Sequence, residues 1–394
     1  MYRLRDYQIM AADAAVEAFK KGKNNSLLIL PTGAGKSLCI ADIASRIDSP
    51  LLVFCPTKEI LAQNYEKICS YNILDVGLYS ASVGQKNIRK ITLATIGSVK
   101  NHLADFRMFK YCIVDEAHLT NARGGMYNDF FNDRSDRCII GLTATPFRLY
   151  RAWGGGSVLK FLTRTRPRIF DRVIHVTQVN DLLVKGYLAP LEYFDVGQYL
   201  SFDLSRVKVN STGADYDDTS LQMEYDRSGF LSDLENWTLR TLHPKDGSKR
   251  NGVLVFTRFV RESQYLVDKL NAMGIKAALV SGETPKRERD EVLSAFKKRD
   301  IKVVANAATL VCGFDYPALD TVIIAHPTRS LSRWYQEIGR IIRPYDGKKG
   351  WVLDMCGTLR RFGKIEDMRI ECPLGSYRWE VNSNGRPLTG VPFN

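Results

Sequence analysis

Among the eight cysteines of this 394-residue chain there is no C-x-x-C pair and no Cys/His group with zinc spacing. A structural zinc module is therefore not expected, and buried reduced thiols acting as small hydrophobes are. No window approaches the run of roughly 18 apolar residues that a membrane span needs. Met1–Asp6 likewise lacks the apolar region of a signal peptide. A cytoplasmic protein with no membrane partner is the expectation. Disorder is excluded by composition, because apolar residues make up 45% and charged residues 25% of the chain. The length exceeds one ordinary core and suits two domains with a segment between them.

What is abundant is positive charge, with a formal net charge of +13. Ten acidic residues face three basic ones between Glu192 and Asn236, which leaves about +20 on the rest. Between Arg148 and Arg172 the bias reverses: Arg148, Arg151, Lys160, Arg164, Arg166, Arg168 and Arg172 face only Asp171. A surface this basic points to a polyanion such as nucleic acid.

Short β-rich apolar runs alternate with helical stretches in two blocks, predicting parallel sheets covered on both faces. Strands are expected at Ser26–Leu30, Leu51–Cys55, Ile91–Ala94, Cys112–Val114 and Cys138–Leu142, with helices at Asp6–Lys20, Lys36–Arg46 and Lys58–Ser70. The second block holds strands at Gly252–Thr257, Lys276–Val280, Lys302–Asn306, Thr321–Ala325 and Trp351–Asp354. Its helices are expected at Arg261–Met273, Pro285–Lys298 and Leu331–Ile342. The resulting division is 1–147, an accessory or linker insertion at 148–244, a second α/β domain at 245–356, and a C-terminal extension at 357–394 that packs on the second domain.

The loop Pro31-Thr-Gly-Ala-Gly-Lys-Ser37 joins a strand to a helix. Gly33 and Gly35 let successive N–H groups face phosphate oxygens, and the helix adds its positive end. Thr32, Gly33, Ala34, Gly35, Lys36 and Ser37 would cradle a nucleoside triphosphate, Lys36 reaching its outer phosphates and Ser37 a Mg²⁺ ion. Leu30 occupies a position where the strict pattern has glycine. Asp115-Glu116 ends an apolar strand at the carboxyl edge of the sheet, where ligands of open α/β folds bind. Asp115 suits Mg²⁺, and Glu116 suits orienting and deprotonating an attacking water.

Taken in order, Pro31–Ser37, Asp115-Glu-Ala-His118, Thr143-Ala-Thr145 and Gln336-x-x-Gly-Arg340-x-x-Arg343 resemble motifs I, II, III and VI of the superfamily 2 DEAD/DEAH-box helicases. The resemblance implies two tandem RecA-like parallel-sheet domains with an ATP cleft between them, and ATP and Mg²⁺ as cofactors. It implies that Gln336, Arg340 and Arg343 act on the γ-phosphate from one face of a helix, with Lys36, Asp115 and Glu116 as their catalytic partners. His118, Thr143 and Thr145 would couple hydrolysis to strand binding. Arg5 and Gln8 resemble an adenine-reading segment, and Gly313 and Asp315 fall where motif V carries nucleotide contacts. Thr57 and Lys58 (motif Ia), Thr95 and Ser98 (Ib), Thr257 and Arg258 (IV), and Asn306 and Thr309 (V) would touch the nucleic-acid backbone.

The Arg5-Asp-Tyr-Gln8 start and the Gly339-Arg-Ile-Ile-Arg-Pro344 run look most like DNA-directed branches of the RadD, UvsW and XPB type, with a compact phage-encoded relative as one reading. Single-stranded, forked or branched DNA in repair, recombination or replication is the expected partner. RNA, and service as motor subunit of a restriction or defence complex, are the alternatives. In the basic stretch, Trp153 and Phe161 could stack on bases, or the stretch could be a solvated linker. The acidic segment 192–236 could repel DNA, shield a basic cleft or meet a protein partner.

Overall fold

A computed structural model describes residues 2–22, 24–121, 124–151, 157–307, 315–376 and 378–393. Two compact units emerge. The first comprises residues 1–148, 159–179 and 369–382, and the second 149–158, 180–368 and 383–394. No helix among the described residues is long and apolar enough to cross a membrane.

The first unit runs α1 (Asp6–Lys21), β1 (Ser26–Ile29), α2 (Lys36–Arg46), β2 (Leu51–Phe54), α3 (Lys58–Cys69), β3 (Val76–Ser80), β4 (Gln85–Lys86), β5 (Ile91–Ala94), α4 (Ile96–Val99), β6 (Tyr111–Asp115), α5 (Met126–Asn132) and β7 (Cys138–Thr143). The chain continues through β8 (Phe147–Arg151), β9 (Ser157–Phe161), β10 (Arg172–Val176) and α6 (Val179–Val184). The sheet order is β10-β1-β7-β6-β2-β5-β3-β4, parallel except for the β3–β4 pair. β1, β2, β5 and β7 are buried along their whole length, as strands covered on both faces must be. α1 stops where Gly22, at φ 61°, donates its N–H to the Ala18 and Phe19 carbonyls.

The second unit contains β11 (Leu191–Asp195), α7 (Asp218–Ser228), α8 (Phe230–Leu242), β12 (Val253–Thr257), α9 (Val260–Ala272), β13 (Ala277–Val280), α10 (Lys286–Lys297), β14 (Val303–Ala307), β15 (Thr321–Ala325), α11 (Leu331–Ile338), β16 (Gly350–Asp354) and α12 (Thr358–Phe362). Its sheet is wholly parallel, in the order β11-β16-β15-β12-β14-β13. Both sheets match the expected architecture.

Residues 148–244 behave differently from a separate insertion. Their β10 completes the first sheet beside β1, and their β11 completes the second beside β16. α7 and α8 supply Leu221, Tyr225, Phe230 and Leu234 to the core that holds Leu266 and Val255. Tyr225 and Phe230 stack with centroids 4.2 Å apart. Phe161, named as one that could stack on bases, is fully buried and stacked on Trp379. Apolar residues in this segment are widely spaced, so local periodicity hides the burial that tertiary packing gives them. Nor does the C-terminal extension keep to the second unit, since 369–382 joins the first, where Gln178 bonds both the carbonyl and the N–H of Ile370.

Gly141 on β7 shows how tightly the first unit is packed. A β-carbon there would lie 2.7 Å from both the Ala117 methyl and the Phe170 ring. Gly141→Ala should destabilise the protein by about 1–3 kcal/mol, read as a lower urea midpoint with an unchanged slope. An unaltered midpoint would show that this packing gives way freely.

Candidate nucleotide site and basic edge

β1, β7 and β6 are neighbours in the first sheet, so the loops that follow them meet at one carboxyl edge. The loop after β1 turns through Pro31–Ala34, the Ala34 N–H bonding the Pro31 carbonyl at 3.2 Å. Gly33 and Gly35 have φ of 80° and 78°, left-handed values that a side chain would strain. Leu30 is fully buried and donates its N–H to Thr143 at 3.2 Å. The leucine in place of glycine thus extends the core beyond β1, and the turn is made downstream. α2 then begins at Lys36, its first-turn N–H groups and dipole directed at the loop.

Lys36 Nζ lies 3.5 Å from Glu116 Oε1. Glu116 Oε2 lies 3.4 Å from His118 Nδ1, which contacts Thr143 Oγ1 at 3.0 Å. Thr143 Oγ1 accepts from the Thr145 N–H at 3.0 Å. This unbroken relay joins four predicted positions to the phosphate loop, because Thr143 also holds Leu30. Glu116 sits in the left-handed region at φ 53°, a conformation that turns its carboxylate back over Lys36. Burial holds the His118 imidazole below its ordinary pKa, so it is neutral near pH 7.

Asp115 is buried, with Oδ1 accepting from the Glu116 N–H at 2.9 Å and Oδ2 from Asn64 Nδ2 at 3.0 Å. Burial foremost, and then the Glu116 charge, push its carboxyl up to about 6, against the opposing pull of Lys36 and Asn64. Such an under-compensated carboxylate pair fits a divalent cation, which would relieve both causes. The Ser37 hydroxyl, in the first turn of α2, is a chemically suitable second donor. Asn64 was not anticipated. A polar residue on the buried face of α3 was its one signal.

Gln8 lies against the phosphate loop. Its amide donates to the Ala34 carbonyl at 2.9 Å and accepts from the Arg5 N–H at 2.9 Å, while the Tyr7 hydroxyl donates to the same carbonyl at 2.9 Å. One end of the amide therefore braces the phosphate loop while the other closes the first turn of α1. Thr57 caps α3 by accepting from Ile60 N, and Lys58 lies beside Glu59. Thr95 and Ser98 bond one another at 3.0 Å, on the loop where Thr95 also reaches Ser80.

In the second unit the motif VI residues do not share a helix. α11 ends at Ile338, and Arg340 and Ile341 make tighter bonds to Glu337 and Ile338. Pro344 disfavours helix at Arg343, which ends the segment. Gln336 and Arg340 are buried, Arg340 Nε donating to the Gln336 carbonyl at 3.3 Å. Arg343 pairs with Asp315, and burial draws its guanidinium down to about 10, still cationic near neutrality. An unforeseen buried cluster supports α11: Glu337 Oε1 lies 2.9 Å from both His326 Nε2 and Arg333 Nε. Although burial acts to raise the Glu337 pKa, these two partners outweigh it and hold the carboxyl below its ordinary value.

The residues expected to touch the nucleic-acid backbone here are engaged within the protein. Thr257 is fully buried and bonds Phe259 O and Ser263 Oγ, and Asn306 is fully buried. Arg258 is paired with Asp215 and Asp218. Side-chain direction within a strand end decides these outcomes, and the alternation there is masked by continuous burial. Thr309, Gly313 and Trp153 lie outside the described residues.

With that geometry in place, comparison with known proteins is direct. The family described as "Type III restriction enzyme, res subunit" matches residues 1–148, and "Helicase conserved C-terminal domain" matches 235–345. The chain belongs to superfamily 2 of the helicases. This superfamily 2 chain is 26% identical over 327 residues to a 51.5 kDa protein of a Lactococcus phage, covering 82% of this chain and 64% of that protein. It is 25% identical over 362 residues to the DNA 3'-5' translocase XPB2 of Sulfurisphaera tokodaii, covering 87% and 79%. The ATP-dependent Type ISP restriction-modification enzyme LlaBIII bound to DNA shares the fold, with a TM-score of 0.65 at 19% identity, covering 90% of this chain and 28% of that one. The chain spans less than two thirds of the phage protein and about half of another curated relative.

The raised pKa of Asp115 makes its burial testable. Between about pH 4 and 6 the folded protein binds a proton that the unfolded chain does not, so this group's stabilisation is present at low pH and lost as pH rises to about 6. Asp115→Asn should remove that loss. The variant's stability advantage should grow through this window to roughly 1–3 kcal/mol above pH 6, followed by urea unfolding at several pH values. A difference that does not change with pH would contradict the assignment.

Proposed function

We propose that this chain is an ATP-dependent DNA translocase or helicase. The observation that carries the reading is the contact of Lys36 with Glu116, beside the buried Asp115, at the carboxyl ends of β1 and β6, which flank β7 in one sheet. ATP would lie with its phosphates against the N–H groups of Gly33–Ser37 and against Lys36. Ser37 and Asp115 would hold a magnesium ion, which would offset charge on the phosphates. Glu116, 3.5 Å from Lys36, would orient a water and accept its proton. His118 and Thr143 would report that exchange to the β7 end, since both touch it already. Arg340 and Arg343 are the proposed γ-phosphate ligands, with Gln336 fixing Arg340.

DNA is favoured over RNA by the archaeal relative, whose name specifies DNA translocation. Thr57, Lys58, Thr95 and Ser98 remain the proposed backbone contacts of the first unit. Single-stranded, forked or branched DNA in the cytoplasm, met during repair, recombination or replication, is the proposed substrate. A second reading, motor subunit of a restriction or defence assembly, is favoured by the family matched at residues 1–148.

ATP turnover measured with single-stranded, duplex and forked DNA and with RNA of equal length tests the proposal. At least one DNA form should raise turnover about tenfold or more, and Lys36→Ala should lower it by about a hundredfold or more while retaining DNA binding. Stimulation by RNA alone would overturn the DNA assignment, and unchanged turnover in the variant would overturn the site.

A further inference from the structure

In the second unit, β16, β15 and β12 lie side by side, and an arginine follows each: Arg361 after β16, Arg329 after β15 and Arg258 directly after β12. The carboxyl edge of a parallel sheet is where ligands bind in open α/β folds. Here that edge is crossed by a hairpin from the acidic segment. Val209 and Tyr216 form its antiparallel bridge, closed by hydrogen bonds from Asn210 N to Asp215 O at 2.9 Å and from Asp217 N to Lys208 O at 2.8 Å. The Tyr216 ring is buried, with the Arg329 and Arg361 guanidinium carbons 6.0 and 5.9 Å from its centre.

Two carboxylates at the end of this hairpin fill the fork of Arg258. Asp215 Oδ2 takes Nη1 at 2.8 Å, and Asp218 Oδ1 takes Nε at 2.8 Å and Nη2 at 2.7 Å. The geometry is the one a guanidinium offers equally to a phosphate. The two acids differ in freedom. Asp215 has a side chain only 21% exposed and also accepts the Arg329 N–H at 3.3 Å, whereas the Asp218 side chain is 62% exposed. Its other neighbours are the first turn of α7, capped by Asp217 rather than by itself.

We propose that Asp218 is a latch that holds Arg258 in place of a backbone phosphate, with Asp215 as the fixed anchor that keeps the guanidinium aimed along the sheet edge. A strand arriving at this edge exchanges one carboxylate for one phosphate: Asp218 swings into solvent, Nε and Nη2 are freed, and Asp215 keeps Nη1. The chain's own acid thereby sets how strong a polyanion must be to engage the second unit. The inference rests on the nucleic-acid reading above.

Binding of the full chain is measured by fluorescence anisotropy with a labelled single-stranded oligonucleotide and, separately, with heparin, a polyanion without bases. Asp218→Asn should tighten both by about two- to fivefold at low salt, the range that loss of an exposed ion pair allows, with the melting temperature nearly unchanged. In an Arg258→Gln background the same substitution should give no gain. Unchanged or weaker binding by Asp218→Asn, or an equal gain without Arg258, would overturn the latch. Tighter heparin binding by a protein that binds neither DNA nor RNA would keep the latch and overturn the nucleic-acid reading.

Discussion

Asp115 is buried at the end of β6 with another carboxylate as its neighbour in sequence, and the chemistry of the first unit is organised around that unfavourable charge. Asn64 reaches it from α3, and the Glu116 N–H reaches it from the next peptide. Glu116 itself turns through a left-handed backbone onto Lys36. Each compensating group comes from a different element, so α3, β6 and the phosphate loop are held in register by one electrostatic need. A buried ion that is only partly compensated is poor evidence of stabilisation. It is a good means of making a site respond when a cation or an anionic ligand changes the local charge.

The relay from Lys36 through Glu116 and His118 to Thr143 extends that response along the sheet edge. Thr143 uses its hydroxyl for His118 and Thr145 and its carbonyl for Leu30, so the end of β7 senses both the carboxylates and the loop that follows β1. Gln8 and Tyr7 close the loop from its other side. A neutral His118 suits this task, since it can accept or donate without adding charge to an already crowded site.

Much of this was legible in the sequence. The ten expected strands lie within about a residue of their observed bounds, because continuous apolar runs between turn signals are what a doubly covered parallel sheet requires, whereas β3 and β4 were not expected. The site motifs were legible because their residue types answer to phosphate chemistry at fixed offsets. What escaped was long-range. Asn64 and Asp115 are far apart in sequence, and Arg258 finds its partners in an acidic segment expected to repel DNA, shield a basic cleft or meet a protein partner. α11 stops at Ile338, short of the helix that the spacing of Gln336, Arg340 and Arg343 predicts, because the chain tightens into three-residue turns there and Pro344 disfavours helix at Arg343. Residues 148–244 were misread for a related cause: their strands lie at sheet edges, β10 beside β1 and β11 beside β16, where partial burial dilutes the apolar signal.

The assignment of residues 369–382 to the first unit has a bearing on how the molecule is made. A ribosome releases the N-terminal end first, and domains commonly fold as they emerge. Here the first unit waits for β10, then for the whole of α7 to α12 to be synthesised, before Trp379 arrives to stack on Phe161 and Ile370 to bond Gln178. The second unit is interrupted by the same segment and resumes at residue 383. Both units therefore need residues beyond 368 to reach their final form, so a nascent chain carries its phosphate loop long before either fold is complete.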